Sequence, residues 1–451
     1  MKGLKVTQRT EPRNVSGKSI SLDAKPVTIG KDDSPLIIGT IRMGFGHHRI
    51  AYAACSWALS EFVNTPTTYF HDLLNVDSEE ADLIKDTDAM YSKMSRITSN
   101  IGGPFEALWG KMMLKGDADM LRISGLTAVH LRPLFKDLPK DTPIVATHCY
   151  VALAAVACGF TNVVNLVIDN HPQWFVVVPG CLNLVQGPAN YQSFLRMGVK
   201  AENVQMAGHW VPKDIVVNIP EDCARRSARA AAGFGGNVKK FNPRRILIPV
   251  GGAGAQRKFI IQFIRGLRPL IHEGKVQLFL NAGDHVHMKE SFLQVLKEIE
   301  MDSKYDTVTT LAGVEEFQHN LLAGKEPTKN ITLFAFEDYF PAVATTDILS
   351  RVTDILACKP SELAFYPVPK LMIRRVGGHE QYSAIRAAEL GDGTLEAREV
   401  EDALNNINLM VNKKELLVHM NEMIIKHAIS GVYDGCKNAV KIALEMASKD
   451  K

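Results

Sequence analysis

At 451 residues the chain exceeds what one hydrophobic core usually organises, and at about 150 residues per domain it predicts two or three units with a boundary near the middle. Hydrophobic residues make up 46% and charged residues 22%, enough to bury such cores, which excludes wholesale disorder. A formal net charge of +3 is too mild for a polyanion binder, so no nucleic acid is expected as a partner.

The first 34 residues are polar and lack the apolar run of a signal peptide, and they read as a flexible leader. The run 35–41 reads as a buried strand, followed by Gly44-Phe45-Gly46-His47-His48-Arg49 and a helix over 48–62. Further strands are expected at 67–71, 143–147, 163–168, 182–186 and 204–207, the pattern of strand-helix units on a parallel sheet. An N-terminal domain over 35–224 follows. Residues 225–244 carry Arg225, Arg226, Arg229, Lys239, Lys240 and Arg244 with no acidic residue, and read as a basic linker. A second series then begins: strand 245–250, glycine loop 251–254, helix 256–271, and strands 275–281, 331–334, 354–358 and 370–373. It forms a C-terminal domain over 245–398, closed by a helical segment over 399–451. The fold class expected is α/β, two tandem doubly wound Rossmann-like domains facing a central cleft. Ligands bind at the carboxyl ends of strands in such sheets, so the cleft is the expected active site.

The seven cysteines stand without paired short spacing, several of them in apolar runs, which favours reduced thiols in a cytoplasmic protein over disulfides or a zinc site. The apolar stretch 150–169 is interrupted by Gly159, Thr161, Asn162 and Asn165 and does not supply a membrane helix. The stretch 90–114 mixes Met90, Met94, Phe105 and Trp109 with Lys93, Arg96 and Lys111. It reads either as a core stripe or as a peripheral contact with an anionic membrane on its inner face.

Three glycine-bearing loops carry the chemistry. In the first, Gly44 and Gly46 permit a tight turn into a helix N-terminus, and a histidine there can take a proton from a hydroxyl near working pH. The plainer reading is a capping turn with two surface histidines. The second, Gly251-Gly252-Ala253-Gly254-Ala255-Gln256, suits a phosphate but lacks the spacing of a dinucleotide or Walker loop; it also suits helix-sheet packing alone. The third, Gly377-Gly378-His379-Glu380-Gln381, opens a helix over 381–390, where Glu and Gln can read sugar hydroxyls or merely cap the helix. Upstream, Glu362 of Lys359-Pro360-Ser361-Glu362 can hold a ribose, or Ser361 can be an N-cap. His285-Val286-His287 has strand-like spacing, but no carboxylate or cysteine cluster completes a metal site beside it. No bound metal is expected.

These residues together resemble the GT-B glycosyltransferase group that contains monogalactosyldiacylglycerol synthase and the peptidoglycan lipid-intermediate N-acetylglucosaminyltransferase. The loop from Gly44 to Arg49 looks like the group's acceptor-side loop. Asp169-Asn170-His171-Pro172-Gln173-Trp174-Phe175 is similar to the lipid synthase pattern of an aspartate followed by His-Pro-x-Trp-Phe. Gly187 to Arg196, Met197-Gly198-Val199 and the run 204–212 follow the group's passage into its interdomain linker.

By that likeness His47 or His48 acts as the catalytic base, His47 being favoured because it follows the Gly-x-Gly turn directly. Gly44, Gly46, His148, His171 and Trp174 lie on the acceptor side. Gly251, Gly252, Gly254, Phe336, Glu337, Ser361, Glu362, Gly378, His379, Glu380 and Gln381 bind the donor, with Glu337 backbone groups toward the base, Glu362 toward the ribose and Glu380 and Gln381 toward the sugar. The chain departs from the group in lacking a glycine-rich turn between Lys359-Pro360 and Ser361-Glu362. The resemblance implies transfer of a sugar from a nucleotide diphosphate sugar, UDP-linked, to a hydroxyl of a lipid or other hydrophobic acceptor, with no cofactor beyond that co-substrate. Arg245, Arg257, Arg374 and Arg375 are candidates to stabilise the leaving diphosphate without a metal. The alternatives are a nucleotide-sugar 2-epimerase of the same fold and a non-catalytic nucleotide-sugar-binding protein.

Overall fold

The computed structural model of the protein describes residues 2–9, 19–22, 25, 27–29, 35–62, 66–75, 82, 85–86, 118–135, 138–232, 242–251 and 256–449. These form two compact units. One takes the described residues up to 214 together with those from Gly431 onward; the other takes Ile215–Ser430.

The first unit is a sheet in the order β2-β1-β5-β4-β6-β7-β8-β9, where β1 is Lys2–Arg9, β2 Ser19–Leu22, β4 Leu36–Thr40, β5 Thr68–Asp72, β6 Ile144–Ala146, β7 Val163–Leu166, β8 Leu182–Val185 and β9 Val204–Met206, with β3 (Val27–Thr28) paired to β1. Neighbours from β5 through β9 are parallel, and β1 joins β5 antiparallel. Helices α1 (Gly46–Glu61), α2 (Ala118–His130), α3 (Cys149–Ala157) and α4 (Pro188–Arg196) accompany the strands. All five residues of β4 are buried, as a parallel strand covered on both faces requires. The core on this sheet draws on Ile37, Ile144, Ala146, Val151, Ala155 and Phe160. After β4 the chain goes to β5 on one side and returns to β6 on the other, so the direction of winding reverses between β4 and β6. The terminal helix Gly435–Lys449 packs on α1, and a bridge pairs Trp210 with Asp434.

The second unit begins in the short helix α5 (Lys213–Val217) and continues through α6 (Ile219–Ala232) into a parallel sheet. Its order is β12-β13-β11-β10-β14-β15, where β10 is Arg244–Pro249, β11 Val276–Gly283, β12 Tyr305–Val308, β13 Ile331–Ala335, β14 Ile355–Cys358 and β15 Lys370–Met372. Every residue of β10 and β11 is buried. The flanking helices are α7 (Arg257–Gly266), α8 (Arg268–His272), α9 (Val286–Glu298), α10 (Leu311–Leu322), α11 (Tyr339–Ser350), α12 (Gln381–Leu390), α13 (Val400–Asn412) and α14 (Lys414–Ile429). Here the winding reverses between β10 and β14.

Several segments differ from what composition suggests. Residues 2–9 of the leader are the strand β1, and β12 joins an edge of the second sheet with a mixed, half-exposed face that gives no clear alternation. Residues 225–232 of the basic stretch continue helix α6, and Arg244 starts β10; residues 233–241 lie outside the described residues. Residues 400–429 of the terminal helical segment lie in the second unit and those from Gly431 in the first. His285-Val286-His287 is not a strand: His285 caps α9 and the other two form its first turn, because Gly283 at φ +64 has already ended β11. The stretch 90–114 lies outside the described residues.

Candidate functional site

In a doubly wound sheet, neighbouring connections leave in opposite directions where the winding reverses, and a crevice opens at the carboxyl ends of the two strands. In the first unit that place is filled by the loop after β4 and the turn after β6. Gly44, at φ +74, takes a backbone conformation that side chains with a Cβ resist, and this reverses the chain so that α1 starts at Gly46 with Phe45 buried beneath it.

His47 is half-buried, and its Nδ1 lies 2.6 Å from the carbonyl oxygen of Thr147, just beyond β6. A carbonyl can only accept, so Nδ1 carries a proton, and in the neutral ring Nε2 is then the accepting nitrogen. Thr147 holds the same residue a second way, with its hydroxyl 3.1 Å from the His47 carbonyl and 2.9 Å from Thr40 Oγ1.

His48 turns the other way. Its Nε2 lies 2.9 Å from Asp72 Oδ2 at the end of β5, and both side chains are buried. Burial pushes the Asp72 carboxyl up. The charge and hydrogen bond of His48, the Leu74 N–H at 3.0 Å and the nearby His71 outweigh it and hold the group below the usual carboxylate range.

His148 caps α3, its Nδ1 accepting the Tyr150 N–H at 3.1 Å, so its proton is on Nε2. Burial, with the His47 ring beside it, holds its pKa well below that of an ordinary imidazole. The rings of His47 and His148 lie 4.4 Å apart, those of His148 and Tyr150 5.0 Å, and those of Tyr150 and Phe175 5.8 Å. This file of rings runs from the reversal point to the turn Trp174–Val176, which carries Trp174. The preceding loop, with buried His171, is pinned by Gln186 and Trp210 donating to the Val167 carbonyl at 2.7 and 2.8 Å, and by Asn190 donating to that of Asp169 at 3.1 Å.

In the second unit the corresponding place lies at the ends of β10 and β14. Gly251 follows the first strand and Lys359 the second. His285 Nε2 donates to the Gly251 carbonyl at 3.1 Å. The Lys359 ammonium pairs with Glu380 Oε1. The other oxygen of Glu380 accepts the Val376 and Gly377 N–H groups at 2.6 and 3.1 Å, holding the turn that enters α12. Burial raises this carboxyl, but the Lys359 charge, His379 and these donors together hold it below the usual range. Gly378 and His379 are buried in the same turn. Gln381 Oε1 accepts from Arg375 Nη1 at 2.9 Å, and that nitrogen is also 2.9 Å from Glu396 Oε2.

Glu362 is half-buried at the start of the turn Glu362–Phe365, and Ser361 makes no side-chain cap to it. Phe336 is buried after β13, its N–H donating to the Gly283 carbonyl at 2.9 Å, and Glu337 is exposed. Gly252 and Gly254 lie outside the described residues.

One expectation is corrected. Arg245 is near the amino end of β10, six residues and roughly 20 Å of extended chain away from Gly251. It is buried, with Nη2 2.5 Å from Glu326 and Nε 3.2 Å from Gln277, so it cannot meet a ligand at the carboxyl ends. Arg226 donates to the carbonyls of Ser350, Thr353 and Pro367, and Arg244 to that of Arg229. The basic stretch therefore fastens α6 to the sheet, using the fixed fork of the guanidinium to satisfy buried carbonyls.

Thr147, Asp72 and Lys359 are the residues here that sequence reasoning gave no role. Asp72 and Lys359 each stand at or just after the end of a strand, and so does Thr147, which was the one available signal. Among the described residues no group of three or more His, Cys, Asp or Glu is placed to hold a metal ion, and no helix is long and apolar enough to cross a membrane.

The sequence pattern described as Domain of unknown function (DUF6938) matches residues 199–444, and that of Domain of unknown function (DUF6937) matches residues 5–196. No curated protein matches the chain. Among solved structures, a UDP-GlcNAc 2-epimerase from Neisseria meningitidis bound to UDP-GlcNAc aligns at a TM-score of 0.51 and 12% identity, over 92% of this chain and 99% of that one. A MnaA-UDP co-structure from S. aureus aligns at 0.49 and 12%, over 90% and 93%. A glycosyltransferase from Rickettsia africae ESF-5 aligns at 0.45 and 10%, over 93% and 98%. The fold is α/β of the GT-B class; the strand-helix pattern predicted the tandem α/β domains, and the resemblance implied GT-B.

Proposed function

The chain belongs to the family described as Domain of unknown function (DUF6938), and we propose that it is a glycosyltransferase taking a sugar from a nucleotide diphosphate sugar. The observation that supports this reading is a coincidence of place: in each unit a motif glycine follows a strand at which the winding of the sheet reverses, Gly44 after β4 and Gly251 after β10. The donor is UDP-linked and is held by the second unit, with Glu362 on the ribose and the turn Gly377-Gly378 facing the diphosphate. Glu380 holds that turn and Lys359 rather than reading the sugar, since both its oxygens are engaged. The acceptor is a hydroxyl of a lipid or other hydrophobic molecule, and the ring file from His148 to Phe175 gives it an apolar surface. This follows the likeness to monogalactosyldiacylglycerol synthase at His171 and Trp174.

In the proposed reaction the acceptor oxygen bonds to the anomeric carbon as the bond to the diphosphate oxygen breaks. The hydroxyl proton passes to His47 Nε2, the nucleotide diphosphate leaves, and the anomeric centre inverts. No metal takes part in this scheme. His48, buried against Asp72, positions α1.

The test is thermal-shift screening with UDP, GDP, ADP, TDP and their sugars, since a ligand that binds only the folded state raises the melting temperature. A shift with one nucleotide that Glu362→Ala abolishes is the expected result, and no shift with any of them sinks the reading. A second reading, a nucleotide-sugar 2-epimerase, is favoured by the Neisseria structure. It predicts UDP release from the sugar donor with no acceptor present, whereas the transferase releases UDP only when an acceptor is supplied. Nucleotide binding with no turnover under either condition would leave a non-catalytic binding protein.

A further inference from the structure

We propose that Lys359 is the side chain that neutralises the diphosphate, leaving Glu380 for a phosphate oxygen when the ligand arrives. This rests on the nucleotide-sugar reading of the second unit and deepens it by naming the charged group. Four observations carry it. Lys359 is the first residue beyond β14, on one lip of the reversal point, and Gly251 is the second residue beyond β10 on the other. The two are close neighbours: a Cβ on Gly251 would lie 3.3 Å from Lys359 Cε and 3.9 Å from Cδ, so the missing side chain at Gly251 leaves room for the lysine stem. The side chain is 26% exposed, enough for an anion to reach it while much of the surrounding water is excluded, which strengthens a charge pair.

The fourth observation concerns the partner. An ammonium can exchange a carboxylate for a phosphate only if the carboxylate is not left buried and unsatisfied. Glu380 keeps the Val376 and Gly377 N–H groups on its second oxygen, so the turn and its charge remain supported when Lys359 swings away. Three of the four arginines put forward for this duty are engaged elsewhere: Arg245 at the opposite end of its strand, Arg257 on Ser291 at 2.6 Å, and Arg375 on Glu396 and Gln381.

Isothermal titration of the full chain with pyrophosphate, and separately with UDP, GDP and ADP, tests the assignment on the wild type, Lys359→Met and Lys359→Arg. Lys359→Met is expected to weaken pyrophosphate binding roughly 10- to 100-fold and to flatten its dependence on salt, with Lys359→Arg recovering much of the loss. A structural role alone would lower the melting temperature of Lys359→Met without changing the salt dependence. Wild-type pyrophosphate affinity in Lys359→Met, or no pyrophosphate binding by the wild type, overturns the assignment. Pyrophosphate binding that needs Lys359, together with no binding of any nucleoside diphosphate, upholds Lys359 as an anion ligand and removes the nucleotide reading instead.

Discussion

Beyond β4 the first unit holds His47 and His148 by neutral oxygen and nitrogen atoms and turns only His48 onto a carboxylate; beyond β14 the second sets an ammonium against a carboxylate. Both places are made by the same reversal of winding in a parallel sheet. The first arrangement fixes tautomers, which suits moving a proton, and the second stores compensated charge, which suits receiving an anion. One architecture thus hosts two chemistries, decided by a few side chains at strand ends rather than by the sheets.

The sharpest way to break this contrast is His47→Ala. Removal of a general base is expected to lower kcat by about 10²- to 10⁴-fold in a UDP-release assay with acceptor, while nucleotide-induced thermal shifts persist. An unchanged kcat would strip the first unit of its proton-handling role. Lys359→Met is the matching change in the second unit, with its loss confined to anion binding. The expected KM effect there, against a kcat effect at His47, is what the comparison claims.

A smaller effect concerns His148. Its folded pKa lies well below the ordinary imidazole value, so as pH falls below about 6.5 the unfolded chain takes up a proton that the folded chain refuses. Stability is therefore lost on acidification, by at most about 1.4 kcal/mol per pH unit for this group. His148→Asn keeps an acceptor at the cap of α3 and should flatten that part of the profile in denaturant melts between pH 7 and pH 5. An unaltered profile would mean that His148 is not held neutral. The smallest effect is expected from Gly251→Ala, where the flexible Lys359 stem has to yield by only a few tenths of an ångström. Pyrophosphate binding should weaken severalfold, about 1 kcal/mol or less.

Much of the scaffold was legible from local pattern. The apolar runs at 35–41, 245–250 and 275–281 became β4, β10 and β11 because strands buried on both faces need unbroken hydrophobic sequence. Gly44 was legible too, since a left-handed turn after a strand demands it. Lys2–Arg9 was not, because a strand of mixed polarity looks like any polar leader until its partners β2, β3 and β5 are known.

The sequence by itself determined that the chain is a pair of strand-helix sheets with glycine loops and histidines at strand ends, because hydrophobic period and turn chemistry act over a few residues. Only the tertiary structure decided that His47 faces Thr147, 100 positions away, while its neighbour His48 faces Asp72, and that Lys359 meets Glu380. It also decided that Arg245 lies at the wrong end of its strand to serve a ligand. Such choices depend on which strands lie side by side, and hydrogen bonding across a sheet fixes that order without leaving a mark on either strand's own residues.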